Sequence, residues 1–185
     1  IQEILDFRKA EDAGFSHTHI RRVSVSSLLR TQFEWFYPLS EQHQIQFKID
    51  APKELYWNTD SVYFKKILTN LISNAFKYTE DGGTVRISLH EEENFLVLKV
   101  YNTGKGIEEA DMQNIFDRYR ILGTMDNDDN RQNTTRNGLG LFICHSLVQS
   151  LGGKIDIESE VGQYAEFTVT LPFGIVEETS DNTID

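Results

Sequence analysis

The chain has 185 residues, of which 39% are hydrophobic and 25% are charged. These values predict a folded domain with a sizeable core and exclude a disordered chain. The formal net charge of −11 argues against a nucleic-acid or anionic-membrane surface, so a site for an anionic ligand would need Lys or Arg nearby. The single cysteine, Cys144, permits no intrachain disulfide and fits a reducing, cytoplasmic setting, and no apolar run is long enough to span a bilayer.

Helical and alternating apolar patterns follow one another along the chain. Residues 1–13 have apolar side chains at helical spacing and begin within the pattern, which indicates the end of a longer helix. The other predicted elements, in chain order, are a strand over 19–25, a helix over 24–43, strands over 45–50 and 54–57, a helix over 61–78, strands over 84–91 and 94–102, helices over 108–119 and 138–153, and strands over 154–160 and 165–172. This order predicts an α+β fold, with helices packed on one face of a mixed or antiparallel sheet.

The helix predicted over 61–78 carries a polar stripe beside its apolar stripe. At about 100° per residue, Asn70, Asn74 and Lys77 lie along one border of the apolar stripe, and Tyr78 falls between the two. Mg²⁺ takes oxygen ligands and keeps several waters, so a neutral Asn oxygen suits it when phosphates bring the negative charge. Lys77, one turn beyond Asn74, can offset that charge. The alternative is an ordinary polar helix flank. The apolar stripe consists of Phe64, Ile67, Leu68, Leu71 and Ala75.

Glycines mark two further segments. The sequence YNTGKGI places Gly104 and Gly106 at the end of a predicted strand, where they allow a ligand or another backbone to come close. It could be a hairpin turn or one wall of a nucleotide pocket, and the helical pattern that follows argues against the hairpin. The amide of Asn102 can accept a hydrogen bond from an exocyclic amine such as that of adenine. The glycines of GLG (138–140) open a predicted helix, where backbone N–H groups favour phosphate.

The order of these segments resembles the ATP-binding catalytic domain of sensor histidine kinases, within the wider GHKL superfamily that includes gyrase-type and heat-shock chaperone ATPases. The similar segments are NLISNAFKYT (70–79) for the N box, NTGKGI (102–107) for the G1 box, IFDRYR (115–120) for the F box, NGLGL (137–141) for the G2 box and SEVGQYAEFTVTLP (159–172) for the closing G3 region. The resemblance implies a Bergerat-type α/β sandwich, a mixed sheet with helices on one face. It also implies the end of a dimerisation helix at 1–14, a catalytic domain at 15–173 and an acidic tail or linker at 174–185.

The resemblance further implies ATP and Mg²⁺ as cofactors, with roles for the residues that match the family's motifs. Asn74 would bind Mg²⁺ and Lys77 would contact phosphate. Arg120, with Arg118 near it, would reach the γ-phosphate from the F box. The adenine or ribose end would be formed by Tyr78, Asn102, Gly104, Gly106 and Ile107, and the phosphates would be admitted by Gly138, Leu139 and Gly140.

Asn70 occupies the position where gyrase-type members carry a Glu that activates water. An amide cannot take up a proton, so this residue disfavours hydrolysis. A neutral imidazole needs less help as a nucleophile, which favours transfer of the γ-phosphate to a histidine. Catalysis by Asn70, Asn74, Lys77 and Arg120 would then rest on positioning and charge neutralisation.

The acceptor histidine is expected upstream of Ile1. The five histidines of the sequence all lie outside the His-Glu-x-x-Thr/Asn-Pro setting typical of a phosphoacceptor; they are His17, His19, His43, His90 and His145. We therefore expect three partners: ATP, an upstream dimerisation and phosphoacceptor domain, and a response regulator or receiver domain. We expect no nucleic acid and no direct membrane contact by this chain, which would be the cytoplasmic, soluble portion of a membrane-anchored sensor.

Several positions depart from the family's pattern. Asn102 replaces the usual Asp, Arg136 stands where Gly is frequent, and Tyr164 also replaces a usual Gly. Glu166 stands where Thr is common, and because that Thr helps arrange polar contacts beside adenine, we expect Glu166 to be the most disturbing change. These departures leave open an alternative, a degenerate nucleotide-binding or regulatory module without phosphotransfer.

Overall fold

The computed structural model of the protein describes residues 18–117 and 139–176. The predicted dimerisation-helix segment at 1–14, the residues 118–138 and the tail beyond residue 176 lie outside these ranges. The strands are β1 (Arg21–Ser24), β2 (Gln46–Asp50), β3 (Tyr56–Thr59), β4 (Thr84–Glu92), β5 (Phe95–Thr103), β6 (Lys154–Glu160) and β7 (Tyr164–Pro172). The helices are α1 (Val25–Gln42), α2 (Ser61–Tyr78), α3 (Glu109–Met112) and α4 (Gly140–Ser150).

The main sheet is mixed and has the strand order β2-β4-β5-β7-β6. β2 runs parallel to β4, whereas β4 with β5, β5 with β7, and β7 with β6 pair antiparallel. β1 and β3 form a separate antiparallel ribbon. This arrangement agrees with the predicted α+β class and with its mixed sheet.

The helices pack on one face of the main sheet. Along β5 and β7, alternate side chains enter one hydrophobic core with α2 and α4; those of the two strands are Leu96, Leu98, Val100, Ala165, Phe167, Val169 and Leu171. Most of the intervening side chains, such as Lys99 and Thr168, are only partly buried on the opposite face. Cys144 on α4 is fully buried, and burial raises the pKa of its thiol. Cys144 is therefore part of the hydrophobic core.

The helix that carries the predicted polar stripe begins and ends where the sequence indicates. The Asp60 side chain accepts hydrogen bonds from the backbone N–H groups of Val62 (2.9 Å) and Tyr63 (3.1 Å), so Asp60 is the N-cap of α2. It also accepts one from the N–H of His19 (2.8 Å), which ties the chain before β1 to the start of α2. The buried side chains of α2 are Phe64, Ile67, Leu68, Leu71, Ile72, Ala75 and Phe76, so the predicted apolar stripe faces the sheet.

The helix predicted over 108–119 is shorter than expected, because α3 ends at Met112. Beyond it, the N–H of Asn114 bonds to the carbonyl of Asp111, and the N–H of Asp117 to that of Asn114, so tight i to i+3 turns replace the helix. These turns bury Ile115 in the core, and tertiary packing therefore overrides the local helical pattern.

The end of the predicted domain and the first residue of the predicted tail, residues 173 and 174, lie against β3. The N–H of Gly174 donates to the carbonyl of Asn58 on β3 at 2.9 Å, and the ring of Phe173 meets that of Trp57 edge to face. Among the residues that the structure describes, no helix has the length and apolar character needed to cross a bilayer.

Candidate functional site

The polar stripe predicted on α2 is present at the border of the core. Asn70, Asn74 and Tyr78 are half-buried, and Lys77 is exposed. Within 18–117 and 139–176, the side-chain amides of Asn70 and Asn74 make no hydrogen bond, so both are free to meet a ligand. The ammonium of Lys77 donates to the Tyr78 hydroxyl at 3.1 Å and lies 4.7 Å from the centre of its ring. The positively charged ammonium group of Lys77 therefore lies at the C-terminal end of the stripe.

The segment after β5 approaches this helix closely. A Cβ atom added to Gly104 would overlap the carbonyl oxygen of Tyr78, so only glycine lets the two backbones meet there. Gly106 has a φ of +65°, and its added Cβ would overlap the carbonyl oxygen of Glu160. The two predicted glycines thus hold the turn between α2 on one side and the end of β6 on the other.

Asn102 lies beside this turn and is only 3% exposed. It continues the inward-facing series of β5, and its strand neighbours are Val85 on β4 and Ala165 on β7. Its Nδ2 donates to the carbonyl oxygen of Thr103 at 3.1 Å. Because a carbonyl can only accept, this bond fixes the amide orientation, and Oδ1 is left as an acceptor with no hydrogen-bond donor among the described residues.

The start of α4 reaches the other end of the polar stripe. A Cβ atom added to Gly140, the first residue of α4, would lie 3.7 Å from Oδ1 of Asn70. Leu139 is buried, and its carbonyl accepts the N–H of Ile143 at 2.8 Å, so only its backbone N–H could serve a ligand. Asn70, which Gly140 meets, and Tyr78, which Gly104 meets, are eight residues apart on α2. The two contacts are therefore about 12 Å apart along the helix.

Three predicted site residues lie outside the described part of the chain. These are Arg118 and Arg120 of the F box and Gly138 of the G2 box. Arg136, one of the departures from the family's pattern, lies there too. The structure brings the other predicted residues together in two groups at the two ends of the α2 stripe. One group is Asn70, Leu139 and Gly140, and the other is Tyr78, Asn102, Gly104, Gly106 and Ile107. Asn74 and Lys77 lie along the stripe between them.

The expectation for Glu166 is wrong. Glu166 pairs with Tyr101 on β5 and with Glu158 on β6, on the sheet face away from the helices, and its carboxylate lies 3.5 Å from Nζ of Lys99. The residue beside Asn102 is Ala165, which is 5% exposed. A shift of one residue along a strand moves a side chain to the other face. The alternating apolar residues of AEFTVTLP could have revealed this placement.

Tyr164, another departure, also faces away from the helices. Its ring stacks on that of Tyr101 with 5.5 Å between centres, and its hydroxyl donates to the carboxylate of Glu158 at 3.0 Å. That bond, with the neighbouring carboxylates, raises the pKa of Tyr164. The side chains of both Tyr164 and Glu166 therefore leave the α2 side of the sheet unobstructed.

The oxygen atoms that the site offers suit a metal ion that binds together with a nucleotide. In the described portion, no group of three His, Cys, Asp or Glu side chains converges as a metal site. The half-buried amide of Asn74 can supply one neutral oxygen, and Mg²⁺ commonly takes its remaining ligands from water and phosphate. The residues present thus fit Mg²⁺ bound together with a nucleotide.

Comparison with known proteins decides the family. Residues 59–175 match the family described as histidine kinase-, DNA gyrase B-, and HSP90-like ATPase. The chain belongs to this family. Sensor protein SrrB of Staphylococcus aureus is 37% identical over 120 residues, which make up 65% of this chain and 20% of SrrB. The chain therefore spans about a fifth of the length of the curated relatives it matches.

Solved structures of this family have the same fold. The catalytic domain of histidine kinase ThkA superposes with a TM-score of 0.72 at 24% identity, covering 83% of this chain and 95% of that domain. Full-length ShkA, in complex with AMPPNP, superposes with a TM-score of 0.73 at 26% identity, covering 85% of this chain and 32% of ShkA. The predicted family and the predicted sandwich are confirmed: the chain holds a domain of the histidine kinase-, DNA gyrase B-, and HSP90-like ATPase family with the predicted mixed sheet.

Proposed function

We propose that this chain binds ATP together with Mg²⁺ and transfers the γ-phosphate to a histidine upstream of Ile1. The observation that carries the proposal is the arrangement along α2. The free amides of Asn70 and Asn74 lie on this helix between two places where a glycine comes close to it. One approach is Gly140 beside Asn70, and the other is Gly104 against the backbone of Tyr78. A separation of about 12 Å along the helix suits an extended nucleotide, with phosphates at one end and the base at the other.

The phosphate end is built from α2 and the start of α4. Asn74 would hold Mg²⁺, which when bound neutralises charge on the phosphate oxygens. Lys77 would add a positive charge after leaving its contact with Tyr78, which its flexible stem allows. The backbone N–H groups of Leu139 and Gly140, at the start of α4, would bind phosphate oxygens, and Gly138 would admit the phosphates. Arg120, with Arg118, would neutralise the γ-phosphate.

The base end is built from Tyr78 and the segment from Asn102 to Ile107. The free Oδ1 of Asn102 would accept a hydrogen bond from the exocyclic amine of adenine. Gly104 and Gly106 keep the turn close to its neighbours, and the Tyr78 ring would line the adenine or ribose. Ala165, the strand neighbour of Asn102, offers the base no hydroxyl, so recognition of the base rests on Asn102.

Asn70 supports phosphotransfer over hydrolysis. Its amide lies at the phosphate end, beside Gly140, where a carboxylate would be needed to take a proton from water. A neutral imidazole can attack the γ-phosphate without such a base. The comparisons give no support to the rival function, a degenerate module that binds nucleotide without transfer.

The partners follow from the missing acceptor. We propose an upstream dimerisation domain with the phosphoacceptor histidine, and a response regulator or receiver domain that takes the phosphate onward. ThkA, whose structure in complex with response regulator protein TrrA superposes with a TM-score of 0.71, offers the fold-level parallel. We further propose that the domain works in the cytoplasm as part of a membrane-anchored sensor.

Phosphotransfer assays with γ-labelled ATP test this function. The 185-residue chain alone should form negligible phosphohistidine, whereas a longer chain that includes the preceding helical segment should become labelled in an acid-labile form. The same longer chain with its acceptor histidine replaced by Ala is the control. Stoichiometric phosphohistidine on the short chain would contradict an upstream acceptor, and nucleotide binding without transfer in the longer chain would support the degenerate module.

Substitution of Asn102 tests the base end. Asn102→Ala should weaken binding of ADP by about 1 kcal/mol, because one hydrogen bond to the base is lost. Asn102→Asp should bind as well as the wild type or more tightly, since charged acceptors form bonds roughly twice as strong. Asn58→Ala, on the remote strand β3, is the matched control and should leave the Kd unchanged. Equal affinities for the Ala and wild-type proteins would show that Asn102 does not contact the base.

A further inference from the structure

The hydroxyl of Ser159 connects two turns at the base end. Ser159 lies at the end of β6, and its Oγ accepts the backbone N–H of Ile107 at 2.8 Å. The same hydroxyl donates to the carbonyl oxygen of Tyr164 at 2.6 Å. One proton and one lone pair are thus both used, so the hydroxyl joins the turn that follows β5 to the turn between β6 and β7.

Two backbone hydrogen bonds also join these turns, on the side of Gly104 and Lys105. The N–H of Gly104 donates to the carbonyl of Gln163 at 3.0 Å, and the N–H of Gly162 donates to that of Lys105 at 2.7 Å. Ile107 lies two residues further along, beyond these backbone bonds. Its N–H has Ser159 as its acceptor, and no second acceptor for it is found among the described residues. Because Ile107 is only 7% exposed, water is a poor substitute for the lost oxygen.

The strand register places Ser159 in the same row as the base-end residues. Ser159 pairs with Ala165 on β7, and Ala165 pairs with Asn102 on β5. All three lie on the helix side of the sheet. The chain therefore leaves Asn102, passes through Gly104 and Gly106, and is fastened at Ile107 to a side chain two strands away.

We propose that Ser159 is a positioning residue for the nucleotide. It fixes the Gly104–Ile107 turn so that this turn and Asn102 keep one arrangement around the base. The inference rests on the proposed function, because it assumes that this end of the site receives a nucleotide. Ser159 does not itself touch the ligand in this account; it acts through the backbone of Ile107 and Tyr164.

The test compares three variants of the 185-residue chain by calorimetric titration with ADP in the presence of Mg²⁺. Ser159→Ala should raise the Kd about tenfold, since it leaves a buried N–H without its acceptor and loosens the turn. Ser159→Thr keeps the hydroxyl and should stay within about twofold of the wild type. Ser150→Ala, which removes a hydroxyl bonded to the Ser146 carbonyl at the far end of α4, should leave the Kd unchanged.

A purely structural role predicts a different pattern. It would lower the thermal midpoint of Ser159→Ala while leaving the ADP Kd of the folded protein unchanged, and that result would overturn the inference. Failure of Thr to restore affinity would overturn it too. If Ser159→Ala does not fold, hydrogen exchange in the wild type decides: ADP should slow exchange of the Ile107 N–H, and an unchanged rate would contradict the inference. A wild type that binds no ADP refutes the proposed function itself, whereas normal ADP binding by Ser159→Ala refutes only this inference.

Discussion

The Asn74→Ala variant should bind AMPPNP equally weakly with and without Mg²⁺. Asn74 supplies the protein's oxygen to the ion, so its removal should cost about 2 kcal/mol of the Mg²⁺-dependent binding energy, which is roughly 30-fold in Kd. The phosphotransfer rate of a longer chain should fall about 10²-fold or more, because charge neutralisation at the transferring phosphate is lost. Calorimetry with Mg²⁺ or with EDTA, and a phosphotransfer assay, measure both effects.

A control on the same helix separates this effect from damage to the fold. Ala has a higher helix propensity than Asn, so the substitution should not destabilise α2. Ser73→Ala changes the adjacent, exposed residue, which points away from the stripe, and it should behave as the wild type. A retained Mg²⁺ dependence in Asn74→Ala would show that another residue holds the ion.

The Gly106→Ala variant should lose most of its affinity for ADP and should also be less stable. Two effects act together: a Cβ atom at a φ of +65° is strained, and this Cβ would overlap the carbonyl oxygen of Glu160. Strain and overlap should lower the free energy of unfolding by about 2–4 kcal/mol in total. Chemical denaturation measures the stability, and calorimetry with ADP measures the affinity.

Gly162 offers a matched control for this substitution. It has a φ of +76° and lies in the neighbouring turn, but a Cβ added there would meet no atom within 4 Å in the described structure. Gly162→Ala should therefore show only the conformational part, about 1 kcal/mol, with ADP affinity near that of the wild type. If both variants lose the same stability and the same affinity, close packing at Gly106 is not what shapes the base end.

The sequence predicts those helices and strands whose boundaries are set by nearby residues. Asp60 followed by an apolar stripe at helical spacing defines α2 from Ser61 to Tyr78, because the cap and the stripe agree. Strands β4 and β5 were predicted to within a residue, since apolar and polar residues alternate along β4 and apolar and aromatic residues dominate β5. The short α3 was missed because core packing of Ile115, rather than local propensity, ends the helix.

From the sequence, the candidate site was predictable only for residues that stand in a short motif or beside a characteristic glycine. Asn74, Gly104 and Gly140 could be named because each stands in a short, recognisable segment. The role of Ser159 could not, since its contact with Ile107 joins residues 52 positions apart and leaves no local pattern. Glu166 was expected beside adenine from its place in the motif, whereas the alternation of β7 puts Ala165 beside Asn102 and Glu166 on the other face.

Titration of the wild-type chain with AMPPNP, in Mg²⁺ and then in EDTA, tests the central claim most directly. We expect one nucleotide to bind per chain in Mg²⁺, with clearly weaker binding in EDTA, because one protein amide and the phosphates share the ion. Absence of binding in both conditions would contradict an ATP site along α2. Binding that is the same in Mg²⁺ and EDTA would contradict the role of Asn74 and leave a nucleotide site without its metal chemistry.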